Sequence, residues 1–333
     1  MKLLITGGAG FMGSNFVKYI LRNHPNWQVV NLDKLTYAGN LDNLKEIEKS
    51  SNYKFLKGDI ASPPDVEKAI GRGVDCIINY AAETHVDRSI IEPSAFIKTD
   101  ILGTYTLLEA AKKHNVAQYI QISTDEVFGS ISKGAFSENS PFKPSSPYAA
   151  SKAGADHLCR AYFKTYNLPV IVTHSCNVFG PNQYPEKIIP LFITNLLENK
   201  KVPIYGSGKQ VREWIFTEDH CRAIEMIMKK GQAGEVYNIG TGSSKQNIET
   251  ARFILQELGF DKKMIEYAKD RSGHDFRYAI NYKKLKSLGW KPRVNWEEGL
   301  RRTIKWYQEN KGWWKKIKSG EYLKYYKKQY QLR

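Results

Sequence analysis

Apolar and β-branched residues gather in six short runs along the first half of the chain, at 2–6, 28–32, 53–56, 75–79, 118–123 and 169–173. Runs of that length bounded by turn-forming residues read as strands. Between them the pattern takes on a helical period, most clearly over 93–114 and 148–166. Such alternation predicts an α/β fold, a doubly wound parallel sheet with helices on both faces. After residue 173 the rhythm breaks. Pro181, Pro185, Pro190 and Pro203 punctuate short elements, and 219–230 and 235–239 read as one more helix and strand. Beyond Gly240 helices dominate, and 269–278 is polar and loop-like. The chain is expected to leave its sheet-based core, re-enter it and leave again. Residues 1–174 plus 214–242 then form the nucleotide-binding domain, and 175–213 plus 243–333 a smaller, mostly helical lobe.

A length of 333 residues accommodates two such units. With 41% hydrophobic residues the chain is core-forming, which excludes disorder, and 25 Gly and 13 Pro exclude a collagen-like or low-complexity protein. No apolar run approaches the ~20 residues that span a bilayer, so no membrane partner is expected. The first strand starts at once and runs into a glycine loop, without a secretory pattern. Cys76, Cys159, Cys176 and Cys221 stand far apart, unlike a metal site or a disulfide framework, which fits a reducing cytoplasm. The net charge of +16 is uneven: residues 301–333 hold eleven Lys or Arg against two acids, interleaved with eight Trp and Tyr. That composition suits either a nucleic-acid tail or a lysine-rich final helix whose aromatics pack on the body, and without a binding motif the second is expected. A basic protein also attracts an anionic small substrate.

The loop after the first strand reads Thr6-Gly7-Gly8-Ala9-Gly10-Phe11-Met12-Gly13 and opens a helix. In a Rossmann-like unit, Gly7 permits the tight turn, Gly10 lets backbone approach a pyrophosphate and Gly13 allows the helix to pack close to the strand. Phosphates then meet the positive end of the helix. Asp33 lies 20 residues after Gly13 at the end of the second strand, where its carboxylate suits an adenosine ribose and disfavours a 2′-phosphate. The cofactor implied is NAD. Asp59-Ile60 and Ala81-Ala82 follow the third and fourth strands and either line the adenine and ribose or are ordinary strand-end turns.

Tyr148 and Lys152 stand at i and i+4, so both side chains share one helix face. A phenol's reference pKa near ~10 is too high for a base at neutrality, and an adjacent ammonium lowers it. Lys152 also suits the nicotinamide ribose. The fifth strand ends Ser123-Thr124-Asp125-Glu126-Val127, placing two acids where ligands bind in such sheets. They form either a catalytic pair or a turn cap beside a solvated acid. His85 and His220 suit turns or packing, and Cys176 lacks an adjacent base and suits inert packing.

These motifs resemble the extended short-chain dehydrogenase/reductases and, within them, the dTDP-glucose 4,6-dehydratase family. The likeness covers nearly the whole chain. It includes the glycine loop, the stretch Leu32-Asp33-Lys34-Leu35-Thr36-Tyr37-Ala38-Gly39-Asn40 and Ala81-Ala82-Glu83-Thr84-His85-Val86-Asp87-Arg88-Ser89. It continues through Pro147-Tyr148-Ala149-Ala150-Ser151-Lys152 and Pro185-Glu186-Lys187-Ile188-Ile189-Pro190. The Asp125-Glu126 pair is its specific part, because related epimerases lack it and GDP-mannose dehydratases show Ser-Glu there.

The resemblance implies dehydration of dTDP-glucose to dTDP-4-keto-6-deoxyglucose through transient C4 oxidation by tightly held NAD. Tyr148 takes the C4 hydroxyl proton, Glu126 the C5 proton, and Asp125 protonates the leaving C6 hydroxyl before hydride returns to C6. Thr124 holds the C4 oxygen. It further implies cofactor contacts from Phe11, Met12, Lys34, Thr36 and Thr99. Sugar or diphosphate contacts fall to Thr84 and Asn177, with Lys187, Ile188, Pro203 and Tyr205 around the base. Arg212, Asn247, Arg271 and His274 hold the diphosphate and the entrance to the lobe, although both arginines also suit plain surface solvation. A homodimer built on helices 93–114 and 148–166 is implied too. Val178, His174, Phe128, Phe276 and Ser272 depart from the family's usual residues. Alternatives are a UDP-glucose 4,6-dehydratase, a sugar-nucleotide 4-epimerase or decarboxylase of the same superfamily, and a non-catalytic NAD-binding or nucleic-acid protein.

Overall fold

A computed structural model describes residues 1–270, 273–319 and 322. Its main sheet contains β1 (Lys2–Thr6), β2 (Gln28–Asp33), β3 (Tyr53–Lys57), β4 (Cys76–Asn79), β5 (Gln118–Thr124), β6 (Val170–Ser175) and β10 (Val236–Ile239). Every pairing in it is parallel, and the order is β10-β6-β5-β4-β1-β2-β3. Strand order therefore reverses between β1 and β4, the place where doubly wound sheets open a crevice at their carboxyl ends.

Alternate residues of each strand feed separate apolar clusters on the two faces of the sheet. Leu3, Ile5, Ile78, Ile120 and Ile171 join one, while Leu4, Ile77, Tyr119, Val170 and Val172 join the other. Burial on both faces is why these strands are almost continuously apolar in sequence. A buried polar ladder crosses the middle of the sheet. Thr6 Oγ1 donates to Asn79 Oδ1 at 2.6 Å, and Asn79 Nδ2 donates to Gln121 Oε1 at 3.0 Å. Because a register slip would leave these groups unpaired in the interior, the ladder fixes which strand ends stand side by side.

The helices over the sheet include α1 (Phe11–Asn23), α2 (Gly103–Lys113), α3 (Pro147–Tyr166) and α5 (Thr217–Lys230), while α4 (Ile188–Leu197), α6 (Asn247–Leu258) and α7 (Trp296–Glu309) pack elsewhere. The single helix expected over 93–114 is three pieces: a short turn Pro93–Phe96, a π-helical segment Ile97–Leu102, and α2. One extra residue per turn in a π segment rotates the side chains that follow. Periodicity did not reveal that break, since apolar positions resume in phase on either side of it.

Beyond the main sheet, β7 (Asn177–Phe179), β9 (Val211–Phe216) and β11 (Ser244–Gln246) form a second sheet, and β8 (Val202–Tyr205) pairs with β12 (Ile265–Ala268). Strands of three to six residues carry little periodicity, so β11 and β12 stand beside the helices that dominate after Gly240 without having been singled out in the sequence. A third apolar cluster joins α4, α6, α7 and β9 through Phe179, Phe192, Trp214, Ile254, Trp296 and Ile304. Trp306, Tyr307, Trp313 and Trp314 of the basic C-terminal region join or pack against it as well. Tyr307 and Trp314 are fully buried, and the indole of Trp314 donates to the Tyr307 carbonyl at 2.8 Å. Residues 320, 321 and 323–333 of that region lie outside the described residues. No helix among the described residues is long and apolar enough to cross a membrane.

Gly299 lets α7 lie directly on Phe179, where an added Cβ would come within 2.9 Å of the ring. Phe179 in turn meets Trp214 and Phe216 edge-on at 6.0 and 5.7 Å. Phe179→Ala is expected to cost about 3–5 kcal/mol, read as a lowered denaturant midpoint at unchanged slope.

Candidate active site

The carboxyl ends of β1, β2, β4 and β5 and the amino end of α3 open onto one cleft. At β1 the chain turns through Gly7, whose φ is +65° and whose amide donates to the Leu32 carbonyl at 2.9 Å. A Cβ on Gly7 would stand 2.6 Å from the Ala81 amide nitrogen, and one on Gly13 would stand 2.3 Å from the Gly7 carbonyl oxygen. Those two glycines are thus demanded by the protein's own packing. Gly10 differs: a Cβ there would meet only the Gly7 oxygen, at 3.3 Å, and would otherwise project where Gly10 lines the cleft. No side chain caps α1 at this end. Bare backbone and uncapped amides at a helix amino terminus fit a diphosphate, with Phe11 and Met12 lining the cleft beside them.

Asp33, at the tip of β2, is nearly buried. Its carboxylate accepts from the amides of Ala9 and Leu35, both at 2.8 Å, which aims it across the glycine loop. Burial pushes its pKa up, and the two amide bonds oppose that. Lys34 and Asp59 form an ion pair at 2.8 Å on the same wall. Thr36, Ile60, Ala81, Ala82 and Thr99 complete this half of the cleft.

The other half holds the chemistry. Ser146 caps α3 by accepting from the Ala149 amide at 3.1 Å, and Pro147 occupies the first turn. Helical spacing then puts Tyr148 and Lys152 on the buried face, beside the end of β5. Lys152 Nζ donates to the Ile122 carbonyl at 2.6 Å. After Thr124 the chain enters a 3₁₀ turn, Asp125–Phe128, with the Thr124 hydroxyl accepting from the Glu126 amide at 3.2 Å. This turn sends the two neighbouring acids into different surroundings. Asp125 is 2% exposed, with one carboxylate oxygen 3.4 Å from the Thr124 hydroxyl and the other buried without a partner. Glu126 is partly exposed, with the Tyr278 hydroxyl 3.4 Å away.

Burial, then the neighbouring charges of Glu126 and Glu213, hold the Asp125 carboxyl well above the usual carboxylate range, against the pull of Arg212. Desolvation and like charge both favour the protonated form of this carboxyl. The Tyr148 phenol is also pushed up, by burial first and then by Glu126 and Asp100, with a hydrogen bond to Thr124 opposing. The sequence had suggested that Lys152 would lower it. In the fold the ammonium is engaged by a carbonyl, and desolvation outweighs it.

Thr84, Asn177 and Lys187 line the same cleft, and Lys187 Nζ donates to the Thr84 carbonyl at 2.5 Å. Other residues singled out in the sequence do not line it. Arg212 turns back on its own chain, donating to the carbonyls of Val211 at 2.9 Å and Asp275 at 3.0 Å, with its guanidinium 4.3 Å from the Tyr278 ring centre. Tyr205 lies 3.4 Å from an Asp87 oxygen, and His274 pairs with Asp270 at 2.6 Å. Ile188 begins α4, Pro203 sits within β8, and Asn247 begins α6 with its amide on the Gln210 carbonyl. Arg271 and Ser272 lie outside the described residues. His220 is buried against the Ser175 hydroxyl at 3.1 Å and is held neutral by desolvation, its pKa lowered to about 3.

Sequence reasoning overlooked several acids. Glu83 lines the cleft beside Thr84, and burial followed by the charge of Asp100 pushes its pKa up to about 7. Glu186 lines it too, fully buried and held by Arg88 at 3.1 Å. Both stood inside quoted motifs, Glu83 four residues after the end of β4 and Glu186 directly before Lys187. The departures His174 and Phe128 form an aromatic-lined pocket behind β5, their rings 4.8 Å apart, with His174 on Asp156 at 3.1 Å. Among the described residues no cluster of three or more His, Cys, Asp or Glu side chains is placed to hold a metal.

Residues 4–303 match the family model described as GDP-mannose 4,6 dehydratase. A dTDP-glucose 4,6-dehydratase of Streptomyces niveus is 47% identical over 326 residues, covering 96% of this chain and 97% of its own. The low-salt glycan biosynthesis protein Agl12 of Haloferax volcanii is 48% identical over 307 residues, or 92% of this chain and 98% of its own. Among solved structures, DesIV, a dTDP-glucose 4,6-dehydratase of Streptomyces venezuelae crystallised with NAD and TYD, superposes with a TM-score of 0.93 at 47% identity, covering 95% of this chain and all of its own. A UDP-glucose 4-epimerase of Thermus thermophilus with NAD superposes with a TM-score of 0.86 at 28% identity, covering 93% of this chain and all of its own. With one buried acid beside one partly exposed acid at the end of β5, and relatives this similar along their whole length, the chain belongs to the dTDP-glucose 4,6-dehydratases.

Proposed function

We propose that this enzyme, using NAD, removes water from dTDP-glucose to give dTDP-4-keto-6-deoxyglucose, with the residues around β5 and α3 in the roles given below. NAD, when bound, supplies the hydride acceptor for C4 and later the donor for C6. Tyr148 accepts the C4 hydroxyl proton, and Thr124 holds that oxygen by its hydroxyl. Once C4 is a ketone the C5 proton is acidic, and Glu126 takes it. Asp125 gives its proton to the C6 hydroxyl, which leaves as water. Glu126 then returns its proton to C5 as C6 receives the hydride, C4 stays a ketone, and the proton left on Tyr148 balances, through solvent, the one that Asp125 gave up. One acid must be neutral while its neighbour is charged, and environments that push two carboxyls apart assign such roles.

The observation that carries this reading is the separation of Asp125 from Glu126 by a single 3₁₀ turn, one buried with its carboxyl pKa pushed up by that burial, the other partly exposed at the cleft. On the same reading Thr84, Asn177 and Lys187 meet the sugar and diphosphate, and Arg212, Arg271 and His274 close over it from the lobe. The unit 1–174 plus 214–242 binds NAD, and 175–213 plus 243–333 binds the sugar nucleotide. Four free, buried cysteines support a reducing cytoplasm. A homodimer is supported by the exposed apolar residues Ile97, Leu102, Tyr105 and Tyr166, on the segments expected to form its interface.

Incubation with dTDP-, UDP-, CDP- and GDP-hexoses is expected to give loss of one water from the dTDP-sugar, read by mass, and Asp125→Asn and Glu126→Gln are each expected to lower kcat by about 10²–10⁴-fold. Dehydration by either variant at the parental rate refutes its assigned role, and a product that keeps its C6 hydroxyl supports a 4-epimerase instead. Stability supplies an independent check on Asp125. A carboxyl raised above its unfolded value of ~3.9 costs nothing below that pH and progressively more as pH rises toward the folded value. The melting temperature of Asp125→Asn, relative to the parent, is therefore expected to increase from roughly pH 4 to pH 8 in calorimetry. Ile97→Glu with Leu102→Glu is expected to convert a dimer into a monomer in sedimentation.

A further inference from the structure

Glu126 has a neighbour that the reaction steps above leave unused. The hydroxyl of Tyr278 stands 3.4 Å from a Glu126 carboxylate oxygen and 2.7 Å from one of Asp275. Tyr278 is 2% exposed, so its hydroxyl depends on protein partners. Two distant segments fix its place. The Val211 amide of β9 donates to the Phe276 carbonyl at 2.8 Å. The Ile131 amide, just beyond the 3₁₀ turn that carries Glu126, donates to the Arg277 carbonyl at 3.0 Å. Over the ring lies the Arg212 guanidinium, 4.3 Å from its centre, which also donates to the Asp275 carbonyl at 3.0 Å. The ring is thereby fixed beside Glu126.

A phenol has one proton to give, and distance decides where it goes. Hydrogen bonds between oxygens lie at ~2.5–3.0 Å, so the contact with Asp275 is a full bond and the one with Glu126 is not. The Ser145 hydroxyl donates to the same Asp275 oxygen, which serves as an acceptor for both. Burial, followed by the charge of Glu126, pushes the phenol pKa up, so Tyr278 keeps its proton and does not act as a base itself. With that proton on Asp275, the hydroxyl turns an oxygen lone pair toward Glu126. A lone pair repels a carboxylate but accepts a hydrogen bond from a carboxyl. The contact improves at the moment Glu126 gains a proton.

We propose that Tyr278 is a positioning residue for Glu126, its hydroxyl committed to Asp275 so that its oxygen accepts a hydrogen bond from Glu126 once the C5 proton has arrived there. The proposal rests on Glu126 acting as the C5 base. In that step the C5–H bond breaks and its electron pair becomes the C5–C6 double bond, while the C6 hydroxyl leaves as water with the Asp125 proton. Glu126 holds the C5 proton against the Tyr278 oxygen until C5 takes a proton back as hydride reaches C6. An interaction made only with the protonated carboxyl assists proton abstraction and leaves substrate binding untouched.

The test looks for a delay confined to the C5 step. In the holoenzyme with dTDP-glucose, Tyr278→Phe is expected to lower kcat about tenfold with KM within about twofold of the parent. Because C4 oxidation comes earlier and keeps its rate, reduced nicotinamide is expected to build up during turnover, read by its near-ultraviolet absorbance. The deuterium isotope effect on kcat with C5-labelled sugar is expected to rise alongside. Asp275→Ala frees the phenol proton to turn to Glu126, which steadies the carboxylate, and is expected to give the same build-up. A kcat that falls without reduced nicotinamide, or that does not fall, overturns the proposal. A double-mutant cycle in denaturant unfolding needs no turnover. Tyr278→Phe is expected to shift the unfolding equilibrium about tenfold in the parent and far less in the Asp275→Ala protein. Equal shifts overturn the commitment of the phenol proton to Asp275. A parent that dehydrates no sugar nucleotide refutes the proposed reaction and with it this role. A parent that does, with variants that show no build-up, refutes the role of Tyr278 alone.

Discussion

Desolvation of charge at the carboxyl ends of β4 and β5 is the constraint on which this protein's chemistry rests. Asp100, Asp125, Lys152 and Tyr148 are all nearly inaccessible, and Glu83 and Glu126 stand close by at the edge of the cleft. In water six such groups would titrate near their ordinary values and would share out no roles. Inside a low-dielectric wall each charge acts strongly on its neighbours, so small differences in position decide which acid keeps a proton and which does not.

The fold creates those differences with ordinary parts. A parallel sheet buried on both faces delivers its strand ends in register, and the Thr6–Asn79–Gln121 ladder keeps β1, β4 and β5 aligned. A capped helix start presents Tyr148 and Lys152 one turn apart against β5. A 3₁₀ turn after Thr124 then separates two consecutive acids, one inward and one outward, where a longer loop would have left both solvated. The site is accordingly rigid where proton positions matter, being built on strand ends and a helix.

Around this rigid half the substrate side is looser in its logic. Arg212 bonds to the Asp275 carbonyl and His274 to Asp270, and Tyr205 reaches across to Asp87, all away from the lining of the cleft. Arginine and histidine in such settings hold a loop together and remain near an anionic ligand's path. Of the positions that depart from the family's usual residues, Val178 lines the cleft. His174 and Phe128 pack together behind β5, where they help fill the core, whereas Phe276 is exposed at the lobe.

The alternation of apolar runs with helical stretches, the glycine spacing from Gly7 to Gly13, Asp33 at the second strand end, and Tyr148 four residues before Lys152 were all legible in the sequence. Each is a local pattern whose period or spacing follows from backbone geometry. The neighbouring acids Asp125 and Glu126 were legible as a pair but not as opposites. What tertiary structure alone decided was burial: that Asp125 is closed off while Glu126 is not, and that desolvation pushes the Tyr148 phenol up. Spacing along a chain fixes direction, but the dielectric around a charge depends on atoms contributed from distant segments, and no stretch of sequence contains those.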